Sequence, residues 1–205
     1  MIEHIFLKHI IVLLIIINPI SKIFIFDQLA SGVANQERRK RAFESAIAMV
    51  AFMMVAVWFG RGFLEVLAIH IGDFQIAGGI LIFYSGFTLM YEGRIKVDQS
   101  QKVFSVVPFG FPIVVGPGTL SVIIAFSTEY SKDVYKFWQS LEVLLVTSIV
   151  LVLMLFSKKI ISALPEISIG ICNKLMAVIL MTIAIGMIRH GILHHISGVH
   201  GINIS

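Results

Sequence analysis

Six apolar stretches occupy most of this chain: roughly Ile5–Phe26, Ala42–Phe63, Phe74–Met90, Val103–Phe126, Phe137–Phe156 and Ile167–Leu193. A bilayer crossing needs about 20 largely apolar residues, so each stretch is a candidate span. Charged residues make up 14% of the chain, well below the roughly 25% of a soluble domain. In hydrocarbon every backbone polar group must be satisfied internally, which leaves helices or a closed barrel. The apolar runs are continuous and do not alternate as barrel strands do, so the spans are expected to be helices. No connecting segment is long enough for a soluble domain. Residues 1–205 therefore read as one all-α membrane domain, with its function inside the helices or at their ends.

The N-terminal run is long, and no small-x-small cleavage site follows it, so it reads as a retained first helix. The single cysteine, Cys172, excludes an internal disulfide and dithiol chemistry within one chain. Basic residues cluster on one side of the expected topology. Arg38, Arg39, Lys40 and Arg41 follow span one, Arg94, Lys96 and Lys102 follow span three, and Lys158, Lys159 and Lys174 flank the last loop. The other side holds Lys8, Arg61, Lys132, Lys136 and Arg189. The positive-inside rule places the richer side in the cytoplasm and both termini outside. The basic cluster is thus a topology signal, and no nucleic-acid partner is expected.

Spans one and four are each interrupted. The first carries "INPISKIFIF" from Ile17 to Phe26, and the fourth carries "VVGPGTLSVIIAF" from Val114 to Phe126. Pro19 and Pro117 stand 98 residues apart. The same offset lays Ser21 on Thr119, Ile71-Gly72 on Ile169-Gly170, and Gln75 on Asn173. Aliphatic matches at a fixed offset carry little weight, but proline and glycine matches carry more. The expected plan is two three-helix repeats, about 1–98 and 99–205. Three spans per repeat is an odd number, so the second repeat enters the membrane inverted. Paired broken helices in such a plan point to a binding site of a secondary transporter.

Helix breaks supply the chemistry such a site needs. Proline removes an N–H and clashes with the preceding turn. The half-helix that resumes presents unpaired N–H groups and the positive end of its dipole, which favour a carboxylate. Carbonyls freed before the break can hold an ammonium group or a cation. The candidate binding residues are Asn18, Pro19 and Ser21 in the first break, with Gly116, Pro117, Gly118 and Thr119 in the second. Lys22, Gly78 and Gly79 are candidates for the pathway.

Several of these segments resemble the MarC family of integral membrane proteins. They are "NPI" at Asn18–Ile20, "FQIAGGILIF" at Phe74–Phe83 and "VVPFGFPIVVGPGTLS" at Val106–Ser121, within a six-span chain. The resemblance covers nearly the whole chain. It implies a cytoplasmic (inner) membrane protein of bacterial or archaeal type. Because the family includes archaeal transporters of small neutral amino acids, it also implies a substrate such as glycine or alanine. The family's first break resembles N-P-x-G followed by a second proline. Here those positions are Ser21 and Phe24, with Lys22 beside them.

Other constellations receive plainer readings. An ionisable group in a span is a functional candidate by default, but Lys22 can also snorkel to the interface where Asp27 lies. Gly78, Gly79 and Gly86 suit close helix packing. Gln75 and Asn173 could cap helices or line the pathway. His190, His194, His195 and His200 lack an acidic companion in the sequence and read as an interfacial tail, so no metal is expected. No cofactor is called for, and a homo-oligomer is left open. No phosphate-binding Gly-Lys motif or catalytic pair is visible, so neither ATP-driven transport nor an enzyme is expected. The favoured function is secondary transport of a small polar metabolite. The alternative is a non-transporting membrane protein with a stress-related or complex-stabilising role.

Overall fold

The computed structural model describes residues 2–92, 115–129, 133–163 and 166–200. These residues form helices: α1 Ile2–Ile17, α2 Pro19–Leu29, α3 Asn35–Val66, α4 Ile71–Glu92, α5 Pro117–Glu129, α6 Asp133–Leu155, α7 Ser157–Ala163 and α8 Glu166–His200. Among the described residues, α3, α4, α6 and α8 are long and apolar enough to cross a bilayer. The pair α1–α2, bent by 41°, makes a fifth if counted as one span. The fourth expected span is described only from Val115 onward, where the short apolar helix α5 begins. The "VVPFGFPIV" segment ahead of it and the basic residues Arg94, Lys96, Lys102 and Lys132 lie outside the described residues.

The outer surface is apolar. Ile47, Val55, Phe59 and Phe63 of α3 are more than half exposed, as are Tyr84 of α4 and Leu175 of α8. Contiguous apolar faces of this kind mark contact with lipid or another protein. The interior is apolar too, with Leu13, Ile17, Met49, Met53, Val143, Val150 and Met154 fully enclosed.

Two close helix contacts organise the bundle. In the first, glycines bring α4 against α8. A Cβ on Gly72 would stand 2.7 Å from the Gly191 carbonyl oxygen. A Cβ on Gly79 would meet the Ala184 carbonyl at 2.9 Å, and one on Gly86 the Ala177 carbonyl at 3.0 Å. As residue numbers rise along α4 they fall along α8, so the two helices run antiparallel. Small residues at spacings of seven let the backbones touch along one stripe. In the second contact, α3 lies beside α6, joined near one end by Trp58 Nε1 donating to Ser140 Oγ at 3.2 Å.

Polar clamps fix the shorter helices. The Gln139 amide of α6 donates to the Ile123 carbonyl at 2.8 Å and accepts from Ser127 Oγ at 2.8 Å, tying α5 to α6. The Arg38 guanidinium at the start of α3 binds Asp27 of α2, donates to Ser157 Oγ of α7 at 2.6 Å, and lies over the Phe26 ring. Arg38 therefore does more than mark topology: it gathers three helix ends, while Arg39 beside it is exposed.

Candidate functional site

Asn18 separates α1 from α2 with φ 49° and ψ 69°, in the left-handed region. Asparagine is one of the few non-glycine residues that visits this region readily. Pro19 follows at the first helical position, where its missing N–H costs nothing. The bend therefore has a local cause, one asparagine–proline step. Leu14 still accepts from the Asn18 N–H at 2.9 Å, so α1 keeps its ladder up to the break. The start of α5, where the sequence places the second break, shares part of this grammar: Gly116 lies outside the helix, Pro117 opens α5, and Leu120 N–H donates to the Gly116 carbonyl at 3.2 Å.

The two breaks share one cavity of about 210 Å³. Among the described residues, Asn18, Ser21 and Lys22 line it from the first break, and Gly116, Pro117, Gly118 and Thr119 from the second. The remaining wall includes Ile82, Tyr84 and Ser85 of α4 and Leu180 of α8. Drug-sized ligands occupy pockets of about 300–1,000 Å³, so this space suits a smaller molecule. Gly118 sets the width on one side. A Cβ there would stand 2.6 Å from Ile82 Cγ1, so α5 starts in direct contact with α4.

Polar groups meet at the first break. Asn18 Nδ2 donates to Ser21 Oγ at 2.9 Å, and Ser21 Oγ donates to Asn173 Oδ1 on α8 at 2.9 Å. All three residues are buried. Asn18 Oδ1 is buried without a hydrogen-bond partner among the described residues, and it belongs to a residue that lines the cavity. Such an acceptor is costly to leave unpaired and ready to receive a ligand N–H. Lys22 makes no ion pair among the described residues. Its ammonium and the two helix starts give the cavity a positive character.

The other sequence candidates fall elsewhere. Gly78 and Gly79 do not line the cavity. A Cβ on Gly78 would stand 2.3 Å from the Ser121 Cβ, and one on Gly79 2.6 Å from Ile188 Cγ1, so both serve close packing. Asn173 joins the first break, whereas Gln75 faces a separate cavity of about 460 Å³ that Lys8, His190 and His194 also line. His195 does find an acidic companion. Its Nδ1 lies 3.2 Å from Asp73, and His70 completes a group whose ligand atoms lie within 4.8 Å of one another. All three residues are exposed.

Tyr84 and Ser85 of the cavity wall were not anticipated from sequence, because the apolar residues of α4 do not gather on one face that would mark its rotation. A buried ionisable pair was also missed. His9 Nδ1 of α1 lies 3.3 Å from Glu142 Oε1 of α6, and both residues lie inside candidate spans. The available signal was a charge within an apolar run.

The sequence profile described as MarC family integral membrane protein matches residues 3–196. A UPF0056 membrane protein of Buchnera aphidicola subsp. Acyrthosiphon pisum is 29% identical over 197 residues, covering 92% of each chain. The UPF0056 membrane protein YvbG of Bacillus subtilis is 26% identical, covering 91% of this chain and 94% of its own length. The UPF0056 inner membrane protein MarC of Escherichia coli is 27% identical over 142 residues, covering 62% of this chain and 64% of its own length. No solved structure matches the chain.

Proposed function

This chain belongs to the MarC family of integral membrane proteins, and from that premise we propose that it is a secondary transporter of small neutral amino acids or similar small polar metabolites. The observation that carries this is the single cavity lined by both helix breaks. Asn18, Ser21, Gly116, Gly118 and Thr119 contact the substrate, while Pro19 and Pro117 create the helix starts. A zwitterion fits the chemistry. Its carboxylate faces Lys22 and the starts of α2 and α5, and its ammonium faces acceptors such as Asn18 Oδ1.

In this proposal six spans form two inverted repeats, with α1–α2 and the α5 span as the broken helices. The packing of α3 on α6 and of α4 on α8 supports it, because each pair joins elements related by the 98-residue offset. The protein sits in the cytoplasmic (inner) membrane with both termini outside. Rocking of one repeat against the other opens the cavity to each side in turn.

The test is exchange of labelled glycine, alanine and serine in proteoliposomes holding the purified protein. Counterflow of at least one is expected. Lys22→Asn removes the cation and should weaken that substrate by about tenfold or more, since one charge contact of about 1.4 kcal/mol already supplies that factor. Absence of counterflow for all three substrates, or an unchanged Lys22→Asn variant, would count against the assignment. One observation favours the non-transporting alternative. Ser21 already satisfies Asn18 Nδ2 and Asn173 within the protein, as a purely structural knot would.

A further inference from the structure

The ionisable pair between α1 and α6 has no part in the cavity. His9 and Glu142 are only 4% and 2% exposed; Glu142 lies in α6, which is long and apolar enough to cross a membrane, and His9 in the bent pair α1–α2, which is so when counted as one span. Removing a carboxylate from water costs several kcal/mol unless it is paired and fully hydrogen-bonded. Glu142 Oε1 faces His9, but Glu142 Oε2 is buried with no hydrogen-bond partner among the described residues. A structural ion pair would satisfy both oxygens. An oxygen left bare is a place to put a proton.

The surroundings fit that use. The space around the pair is lined by Tyr135, Trp138 and Gln139 of α6, and by Phe126 of α5. From α1 the titratable group is His9 itself, from α6 they are Glu142 and Tyr135, and α5 brings Phe126 with no charge. Phe126 stacks flat on the His9 ring, with centroids 3.8 Å apart and planes 8° from parallel. Phe126 and Thr119 belong to one helix, two turns or about 10 Å apart. Thus α5 touches the cavity at its start and the ionisable pair farther along. A tilt of α5 about its Gln139–Ser127 clamp that follows substrate at Thr119 would turn the Phe126 ring lying on His9.

We propose that His9 and Glu142 form a proton-binding pair coupled through α5 to the substrate cavity. In one state the pair carries a proton on Glu142 Oε2 beside neutral His9. In the other that proton has left to water on one side of the membrane, leaving the Glu142 carboxylate beside neutral His9 Nδ1 at 3.3 Å until it takes up a proton from the opposite side. One proton enters and one leaves per cycle. The proposal deepens the transport assignment and rests on it.

The experiment compares wild type and Glu142→Gln in proteoliposomes with labelled glycine and alanine. Glu142→Gln should retain counterflow, which needs no proton, and lose accumulation driven by an imposed pH gradient by about tenfold or more. Accumulation by Glu142→Gln within about twofold of wild type would overturn the proposal. If wild type shows no counterflow, the transport assignment fails instead. The pair is then tested alone through Trp138, the sole tryptophan once Trp58 is replaced by phenylalanine. Its emission, scanned from about pH 4 to pH 9, should follow a protonation step that His9→Asn displaces along the pH axis. A flat titration there, or a step that His9→Asn leaves unchanged, would overturn the proposal. The same titration decides the matter if Glu142→Gln does not fold.

Discussion

If the proposed transport holds, Gly118→Ala is expected to cut uptake of whichever amino acid shows counterflow by tenfold or more while leaving the protein folded. The added Cβ would stand 2.6 Å from Ile82 Cγ1, a separation real Cβ atoms essentially never show. Something must move, and the start of α5 is the less anchored partner. Its far end is clamped to α6 by Gln139 and Ser127, whereas among the described residues its start packs on α4 with no such side-chain clamp. Displacement there shifts Thr119 and the helix start against the substrate. A misplacement of about 1 Å can cost about a hundredfold in a positioned site. The steric cause has its own control. Ile82→Ala removes the offending atom, so the double variant should recover a substantial part of the activity. Wild-type uptake by Gly118→Ala, or no recovery in the pair, would contradict the tight-wall geometry.

Gly191→Ala is expected to produce the largest loss of stability. A Cβ there would meet the Gly72 carbonyl oxygen at 2.5 Å, and backbone on both sides leaves no flexible end to yield. Overpacking of this kind costs typically about 1–3 kcal/mol, sometimes more. At roughly 2–4 °C per kcal/mol for a chain of this size, the melting temperature in detergent should fall by several degrees. Gly170 and Gly186 lie on the same helix, and a Cβ added to either would have nothing within 4 Å. Their alanine variants should be neutral or slightly stabilising, because alanine is the better helix former. Equal melting temperatures for all three variants would mean that α4 and α8 do not touch at Gly72 and Gly191.

The features legible in the sequence are those that act through local backbone. The step Asn18-Pro19 ends one helix and opens the next, and Pro117 opens α5, so these positions could be read directly. The long helices could be read from hydropathy for the same reason. The meeting of Asn18 with Gly116 in one cavity could be anticipated only through the expected repeat, an offset that relates distant segments without folding them. Residues whose role depends on which way a helix faces were not readable. Tyr84 and Ser85 look like any others in α4, and Arg38 cannot be told from Arg39 until Asp27 and Ser157 are placed beside it. Asn173 and Gln75 stand 98 residues apart, the offset of the expected repeat, yet Asn173 bonds to Ser21 at the first break while Gln75 faces a separate cavity. His9 and Glu142 are 133 residues apart in the sequence, and nothing local in either one names the other.

The central claim is that the two breaks form one binding site, and a double-mutant cycle on binding tests it most directly. Ser21→Ala removes a hydroxyl from the first break, and Thr119→Val removes one from the second. Binding of labelled alanine, or whichever amino acid shows counterflow, would be measured for wild type, both single variants and the double. Groups that share a ligand and a cavity should couple by about 0.5–3 kcal/mol, whereas independent sites add to within about 0.3–0.5 kcal/mol. Losses in the double variant that depart clearly from the sum of the singles would confirm one shared site. Strictly additive losses, or a loss confined to one of the two breaks, would contradict it.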